Sequence, residues 1–311
     1  MKFYRQNFLL AKGNRAMEEK LLVGIESEGL LPEDNPEESL NMLKTCGFES
    51  IVYHIKESNL KMQENSHVYF RSFLKMAKNA GITISQVHFT YSGEYYEGIK
   101  EDKNYKALLG GALSVCDVLK CPFLVIEPLQ WKDHEKEREE ILKLYRSLIP
   151  DAKKFGITIC LSNTIKNTGG YHQHIIQGAC ADAAEAVWYI DNLNAEAGEE
   201  HFGFCLDTGC ANVTARDMER FIVALGSRLK CVRISDNNGI SDDHLIPYTQ
   251  TLGQVDWQGF IVGLHRIGYE GALTFDVSRA ILTFPEEVRP YAMKAIAAVG
   301  KCMKKSIEAE S

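Results

Sequence analysis

Two segments decide the fold: FGFCLDTGCANVTARD at residues 202–217 and LKCVRISDNNGISDDHLIP at residues 229–247. In each segment a short apolar run ends abruptly in charged and polar residues. Such runs, bounded by polar turns, are typical of buried parallel strands. Charged groups just beyond strand ends are where α/β proteins place their sites. The two segments therefore predict two strand–helix units with a functional site at the carboxyl ends of their strands.

The same alternation of strand and helix repeats along the whole chain of 311 residues. Six further strands are predicted at residues 21–27, 48–54, 82–89, 122–127, 157–162 and 272–277. Eight repeats in a chain of this length indicate a (β/α)8 TIM barrel. A doubly wound open sheet is the alternative, but the turn GIESEGLLPE after the first strand lacks the G-x-G-x-x-G pattern. We therefore expect one barrel domain over residues 1–311, with residues 1–20 as a possible N-terminal extension.

Composition and charge argue against several classes of protein. The formal net charge is −7 and the only basic cluster is the C-terminal tail, so we expect no nucleic-acid partner. The apolar run near the N-terminus is too short for a signal peptide or a membrane span, so we expect no membrane partner. Nine scattered cysteines without a CxxC pair favour free thiols and a cytoplasmic location.

Closure of the strands into a barrel would bring their polar ends to one face. A single histidine or carboxylate at a strand end is more often structural than catalytic, so the group as a whole is what suggests a site. The strand-end residues are Glu26, His54, His88, Glu127, Ser162, Asn163, Asp207, Arg233, Asp236 and Asp276, with Asp242 and His244 in a following loop.

Cys210 follows Asp207 in a turn, but no histidine partner is apparent nearby, which argues against a nucleophilic role.

From about Leu21 to its end, the chain resembles the xylose isomerase-like barrel superfamily, which includes sugar isomerases, sugar 3-epimerases, inosose dehydratases and an apurinic-site endonuclease. The segments that carry the resemblance are LDTGCAN at 206–212, VRISDNNGISDDHL at 232–245, GQVDW at 253–257 and GYEGALTFDV at 268–277. The resemblance implies one divalent metal, often Mn²⁺, held by Glu, Asp, His and Glu at the ends of strands five to eight. It also implies that the glutamates move a proton at the carbon beside a ketone while the metal polarises the substrate oxygens.

The chain departs from that ligand set, because the four positions hold Ser162, Asp207, Arg233 and Asp276. A guanidinium cannot ligate a cation, and it keeps its charge at any accessible pH. We hypothesise that Arg233 replaces the metal by bridging Asp207 and Asp276. We therefore predict no cofactor and no metal at the family position. A displaced Mn²⁺ or another divalent metal is the alternative, with Asp207, Asp242, His244 and Asp276 as its ligands.

The sequence thus favours a divergent, metal-independent sugar isomerase or epimerase that binds a small carbohydrate or polyol. The alternative is a non-catalytic sugar-binding protein, or a subunit that pairs with an active paralogue. A homo-oligomer is also possible, whereas the acidic charge argues against the endonuclease activity. The candidate catalytic residues are Glu127, His88, His244 and Asp276, and the candidate substrate-binding residues are Arg233, Asp207, Asn163, His54 and Asp236.

Overall fold

The structure is a computed structural model that describes residues 21–32, 35–55, 60, 66–89, 103–130, 134–167 and 174–309. The N-terminal extension predicted for residues 1–20 lies outside the described residues. Among the helices described, none is long and apolar enough to cross a membrane.

Eight parallel strands close into a barrel, which confirms the predicted (β/α)8 fold. The strands are β1 Val23–Glu26, β2 Ser50–Ile55, β3 Thr83–Phe89, β4 Phe123–Ile126, β5 Thr158–Ser162, β6 Ile165–Asn167, β7 Ile175–Gln177, β8 Phe202–Asp207, β9 Leu229–Ile234 and β10 Leu273–Phe275. Around the barrel they follow the order β1-β10-β9-β8-β5-β4-β3-β2. Since β6 and β7 form a separate antiparallel hairpin, β8, β9 and β10 are the sixth, seventh and eighth barrel strands.

The helices cover the outside of the barrel, and their ends follow from local sequence signals. Asn35 caps the first helix, Pro36 occupies its first turn, and Gly47 ends it with a left-handed φ of 107°. The helices are α1 Pro36–Cys46, α2 Ser66–Asn79, α3 Lys103–Leu119, α4 His134–Phe155, α5 Ala183–Ala197, α6 Thr208–Val213, α7 Met218–Leu225, α8 Trp257–Ile267, α9 Ser278–Leu282 and α10 Arg289–Ala309.

The structure adds two features to the predicted alternation. The antiparallel pair β6 and β7 lies between β5 and α5 in the chain. In addition, α6 begins directly at the end of β8, where the sequence predicted a turn. The reason is that the Asp207 carboxylate accepts a hydrogen bond from the Cys210 backbone nitrogen at 2.8 Å and so caps the helix.

A buried layer inside the barrel lies beneath the mouth, the open face at the carboxyl ends of the strands. Gln86 crosses the interior and donates hydrogen bonds to the Val232 carbonyl at 3.2 Å and to Thr274 Oγ1 at 2.9 Å. Cys205 contacts Gln86 and packs with Cys231 in the same small cluster. Because side chains alternate along a strand, the residue two positions further on projects from the same face. This alternation places His88, Asp207, Arg233 and Asp276 above the layer.

Candidate functional site

Arg233 lies at the centre of a group of carboxylates at the mouth of the barrel. Its Nη2 donates to Asp276 Oδ2 at 2.5 Å and its Nη1 donates to Glu127 Oε1 at 3.1 Å. The same Nη1 lies 3.6 Å from Asp207 Oδ2. Arg233 is only 9% exposed, and the carboxylates surrounding it hold its pKa well above the ordinary value despite burial. The guanidinium is therefore a fixed positive charge shared by three carboxylates.

His244 brings a second positive charge to the same group. Its Nδ1 lies 3.2 Å from Asp276 Oδ2, and its Nε2 lies 3.4 Å from Asp242 Oδ2. Burial alone would lower the pKa of His244, but hydrogen bonds and the charges of these carboxylates raise it to about 11. His244 is therefore an imidazolium at neutral pH.

The loop that carries His244 is held in place by Asp236. The backbone of Asp236 pairs with that of Leu245, with both N–H···O distances at 2.8 Å. The Asp236 carboxylate accepts hydrogen bonds from the Val255 backbone nitrogen at 2.9 Å and from Trp257 Nε1 at 3.1 Å. These contacts allow the loop to hold His244 at a left-handed φ of 50°.

The carboxylates around Arg233 differ in pKa although they share one cation. Burial would raise the pKa of Glu127, but the contacts with His88 and Arg233 outweigh it and lower the pKa to about 2. Burial would also raise the pKa of Asp276, but the contacts with Arg233 and His244 outweigh it and hold that pKa well below its usual range. Burial dominates at Asp207 and raises its pKa to about 6, because Arg233 is further away. Asp207 is thus the carboxylate that titrates nearest to neutral pH.

A second group of residues lies across the mouth, at the ends of β1, β2 and β3. Glu26 Oε1 lies 3.9 Å from His54 Nδ1, and the rings of His54 and His88 are 5.0 Å apart. His88 Nε2 lies 3.5 Å from Glu127 Oε1, so Glu127 joins the two groups. Burial and the charge of Arg233 lower the pKa of His88, which keeps its ring neutral.

Two residues predicted to bind substrate have their polar atoms engaged by the protein. Asn163 clamps the end of β8, since its Nδ2 donates to the Asp207 carbonyl at 2.8 Å and its Oδ1 accepts from the Asp207 nitrogen at 2.8 Å. Asp236 is fully buried and anchors its loop as described above. Both side chains therefore position parts of the site, and substrate binding by Asn163 and Asp236 stays a prediction.

The residues at the family metal position do not fit a divalent cation. The Arg233 guanidinium contacts both Asp207 and Asp276, the two carboxylates that would ligate the ion. The Ser162 hydroxyl donates to the Cys205 carbonyl at 3.0 Å and so turns towards the backbone. At the displaced alternative, Asp276 Oδ2 already contacts Arg233 Nη2 and His244 Nδ1, so a cation there would have to replace these contacts, and this alternative stays a prediction.

Comparisons with known proteins agree with this architecture. The sequence pattern of the family described as xylose isomerase-like TIM barrel matches residues 40–298. The chain belongs to this family. The resemblance inferred from the sequence is therefore confirmed at the level of the superfamily.

Solved sugar epimerases share the fold with low sequence identity. D-psicose 3-epimerase from Clostridium cellulolyticum H10, solved with D-tagatose, has a TM-score of 0.70 and 18% identity over 91% of this chain and 99% of that one. The 3-keto-D-glucoside 4-epimerase from E. coli has a TM-score of 0.68 and 15% identity over 91% of this chain and 100% of that one. An L-ribulose 3-epimerase has a TM-score of 0.69 and 14% identity over 93% of this chain and 96% of that one. None of the curated proteins matches the sequence.

Proposed function

We propose that the barrel mouth binds a small carbohydrate or polyol and moves a proton at the carbon beside its carbonyl group, without a metal at the family position. One observation carries the proposal: Glu127 and Asp207 both lie beside Arg233 Nη1, at 3.1 and 3.6 Å. This arrangement puts two proton carriers next to a cation that can bind a substrate oxygen. The epimerase activities of proteins with the same fold support the reaction class.

Arg233 would stabilise the charge that develops during the reaction. Loss of a proton beside a carbonyl moves an electron pair onto the carbonyl oxygen and gives an enediolate. A buried guanidinium is a preorganised partner for such an oxyanion. Arg233 Nε is buried and has no hydrogen-bond partner among the described residues, so it is one donor that a ligand oxygen could take. The His244 imidazolium supplies a second positive charge on the same side.

The carboxylates divide the proton transfer between them. Glu127 is ionised at neutral pH, so it can accept the proton as the C–H bond breaks. Asp207, with a pKa of about 6, is best matched to carry a proton in either direction near neutrality. Return of a proton to the opposite face of the carbon gives the epimer, and return to the neighbouring carbon gives the isomer. His88 contacts Glu127 and positions its carboxylate. Asp276 contacts both Arg233 and His244 and positions these two cations.

A non-catalytic sugar-binding protein, or a subunit paired with an active paralogue, is the second candidate. The observation that favours it is Ser162, which replaces a family glutamate and whose hydroxyl is bonded to the backbone carbonyl of Cys205. A site that has lost this acid could bind a sugar without moving a proton. Homo-oligomerisation is compatible with both candidates.

The experiment that tests the proposal follows exchange of carbon-bound hydrogen. Chelator-treated protein is incubated in D₂O with ketopentoses, ketohexoses and their phosphates, and deuterium incorporation is measured by NMR. We expect incorporation beside the carbonyl of at least one sugar. We also expect Glu127→Gln to slow it by about 100-fold or more. The matched control is Glu196→Gln, an exposed glutamate paired with Arg146, which should exchange at the wild-type rate.

The two candidates give different results in this experiment. If a sugar raises the melting temperature of the protein but takes up no deuterium, the binding protein is correct and the proton-transfer proposal fails. Deuterium uptake that disappears on chelation and returns with Mn²⁺ would also contradict the metal-independent reaction.

A further inference from the structure

The group at the ends of β1, β2 and β3 has the composition of a metal site. Glu26 ends β1, while His54 and His88 are the next-to-last residues of β2 and β3 and are paired in the parallel register. Their potential ligand atoms all lie within 4.8 Å of one another. In a tetrahedral site with bonds of about 2.0–2.1 Å, ligand atoms lie about 3.4 Å apart. Side-chain adjustments of roughly one ångström would therefore bring the three ligands onto one ion.

Several polar atoms of this group are buried without hydrogen bonds. Glu26 is 2% exposed and His88 is 1% exposed. Within the part of the chain that the structure describes, Glu26 Oε2, His54 Nδ1 and both ring nitrogens of His88 have no hydrogen-bond partner. Native proteins rarely leave buried polar atoms unpaired, so each such cluster calls for a ligand, a water or an ion. A cation bound by Glu26 Oε2, His54 Nδ1 and one ring nitrogen of His88 would satisfy three of these four atoms.

The surroundings of His88 provide the support that a metal-binding histidine usually has. Such a histidine donates its second ring N–H to a carboxylate, which fixes the tautomer and the orientation of the ring. Glu127 Oε1 lies 3.5 Å from His88 Nε2 and is positioned for this role. With Nε2 directed at Glu127, Nδ1 remains as the atom for the cation. The Glu28 carboxylate, half exposed and 3.7 Å from His54 Nδ1, could supply a further oxygen.

We propose that Glu26, His54 and His88 bind a divalent transition-metal cation, with Zn²⁺ as the best match. Two imidazoles and one carboxylate form a ligand set that suits zinc. Mg²⁺ and Ca²⁺ prefer oxygen ligands and fit this group poorly. The site lies on the first three strands, whereas the family position uses strands five to eight, which here hold Ser162 and Arg233. It does not depend on the proposed reaction.

The test measures zinc binding rather than activity. The full chain is stripped with chelator and titrated with Zn²⁺ by calorimetry, and the bound metal is counted by elemental analysis after gel filtration. We expect one Zn²⁺ per chain. Glu26→Gln and His54→Gln, each made separately, should weaken binding by about 100-fold or more. Mg²⁺ at the same concentration should give no binding signal.

Two matched controls locate the ion. Asp207→Asn removes the carboxylate retained at the family position, and His265→Gln removes a histidine on α8 whose Nδ1 contacts the Ile307 carbonyl. Both should bind Zn²⁺ with wild-type affinity. Circular dichroism and thermal unfolding of every variant establish that it is folded, and two separate ligand variants guard against a single folding failure.

Three outcomes would overturn the proposal. The first is that the stripped wild-type protein does not bind Zn²⁺. The second is that binding is lost in Asp207→Asn but kept in His54→Gln, which would place the ion at the family position. The third is that all variants bind equally, which would indicate adventitious binding, for example at the exposed Cys302.

Discussion

The two halves of the barrel mouth differ in whether the chain supplies cations to pair with their carboxylates. Around Arg233, carboxylates from several strands are neutralised by two fixed cations, the guanidinium and the His244 imidazolium. On β1 to β3, Glu26 lies beside the imidazoles of His54 and His88, and several polar atoms there lack hydrogen bonds among the described residues. One half of the mouth therefore has its counter-charge built into the chain, whereas the other half can take a cation from solution.

The largest expected effect comes from removing the cation of the first half. Arg233→Met would leave buried carboxylates without a partner, so we expect the free energy of unfolding to fall by about 3–5 kcal/mol. Urea denaturation at pH 7 measures it. Arg146→Met is the control, because Arg146 pairs with Glu196 at the surface. This substitution should lower the free energy of unfolding by no more than about 1 kcal/mol.

A second variant keeps this prediction testable if Arg233→Met does not fold. Arg233→Met combined with Asp276→Asn removes both charges of the closest pair and should recover part of the lost stability. An unfolding midpoint of Arg233→Met equal to that of the wild type would show that the guanidinium does not hold this half together.

A smaller, pH-dependent effect is expected for His244→Gln. The pKa of His244 is raised from 6.5 to about 11, so its stabilising contribution is complete below pH 6.5 and is lost as the pH rises towards 11. The stability difference between wild type and variant should therefore be largest at pH 6 and shrink towards pH 10. Urea denaturation across this range measures it, with His265→Gln as the control. A difference that grows with pH would contradict the assignment of an imidazolium.

The smallest effect is expected for Asp207→Asn. Burial raises the pKa of Asp207 from 3.8 to about 6, so its charge disfavours the folded state above pH 6. The amide oxygen can still accept the hydrogen bond from the Cys210 nitrogen. At pH 8 we expect stability within about 1 kcal/mol of the wild type. As the pH falls from 6 towards 3.8, the free energy of unfolding of the wild type should rise relative to that of the variant. A wild type that instead loses stability relative to the variant over this range would show that the pKa of Asp207 is lowered.

The fold could be predicted from the sequence because each barrel strand is a short apolar run that ends in polar residues. The same pattern placed Arg233 and Asp207 near each other, since β8 and β9 are adjacent in the barrel. The contact between Arg233 and Glu127 could not be predicted, because these residues are 106 positions apart and their strands are not neighbours. The hydrogen bonds that engage Asn163 and Asp236 depend on loop conformations, which apolar periodicity does not specify.

Less could be predicted about the β1–β3 half of the mouth. The sequence predicts that Glu26, His54 and His88 converge with the other strand ends, and it makes His88 a candidate catalytic residue and His54 a candidate binding residue. It assigns no role to Glu26 and does not single out the three as one group. Their grouping follows from the order of adjacent strands together with the facing register of His54 and His88. Adjacent barrel strands that each end in a metal-binding side chain are the signal that could have identified the group.

We propose that Arg233 occupies the position of the family metal and that a metal-binding group lies instead on β1 to β3. The most direct test is anomalous diffraction at the zinc edge from crystals grown with Zn²⁺. We expect one peak bounded by Glu26, His54 and His88, with Arg233 still bonded to Asp276. A peak between Asp207 and Asp276, with the guanidinium displaced, would contradict it.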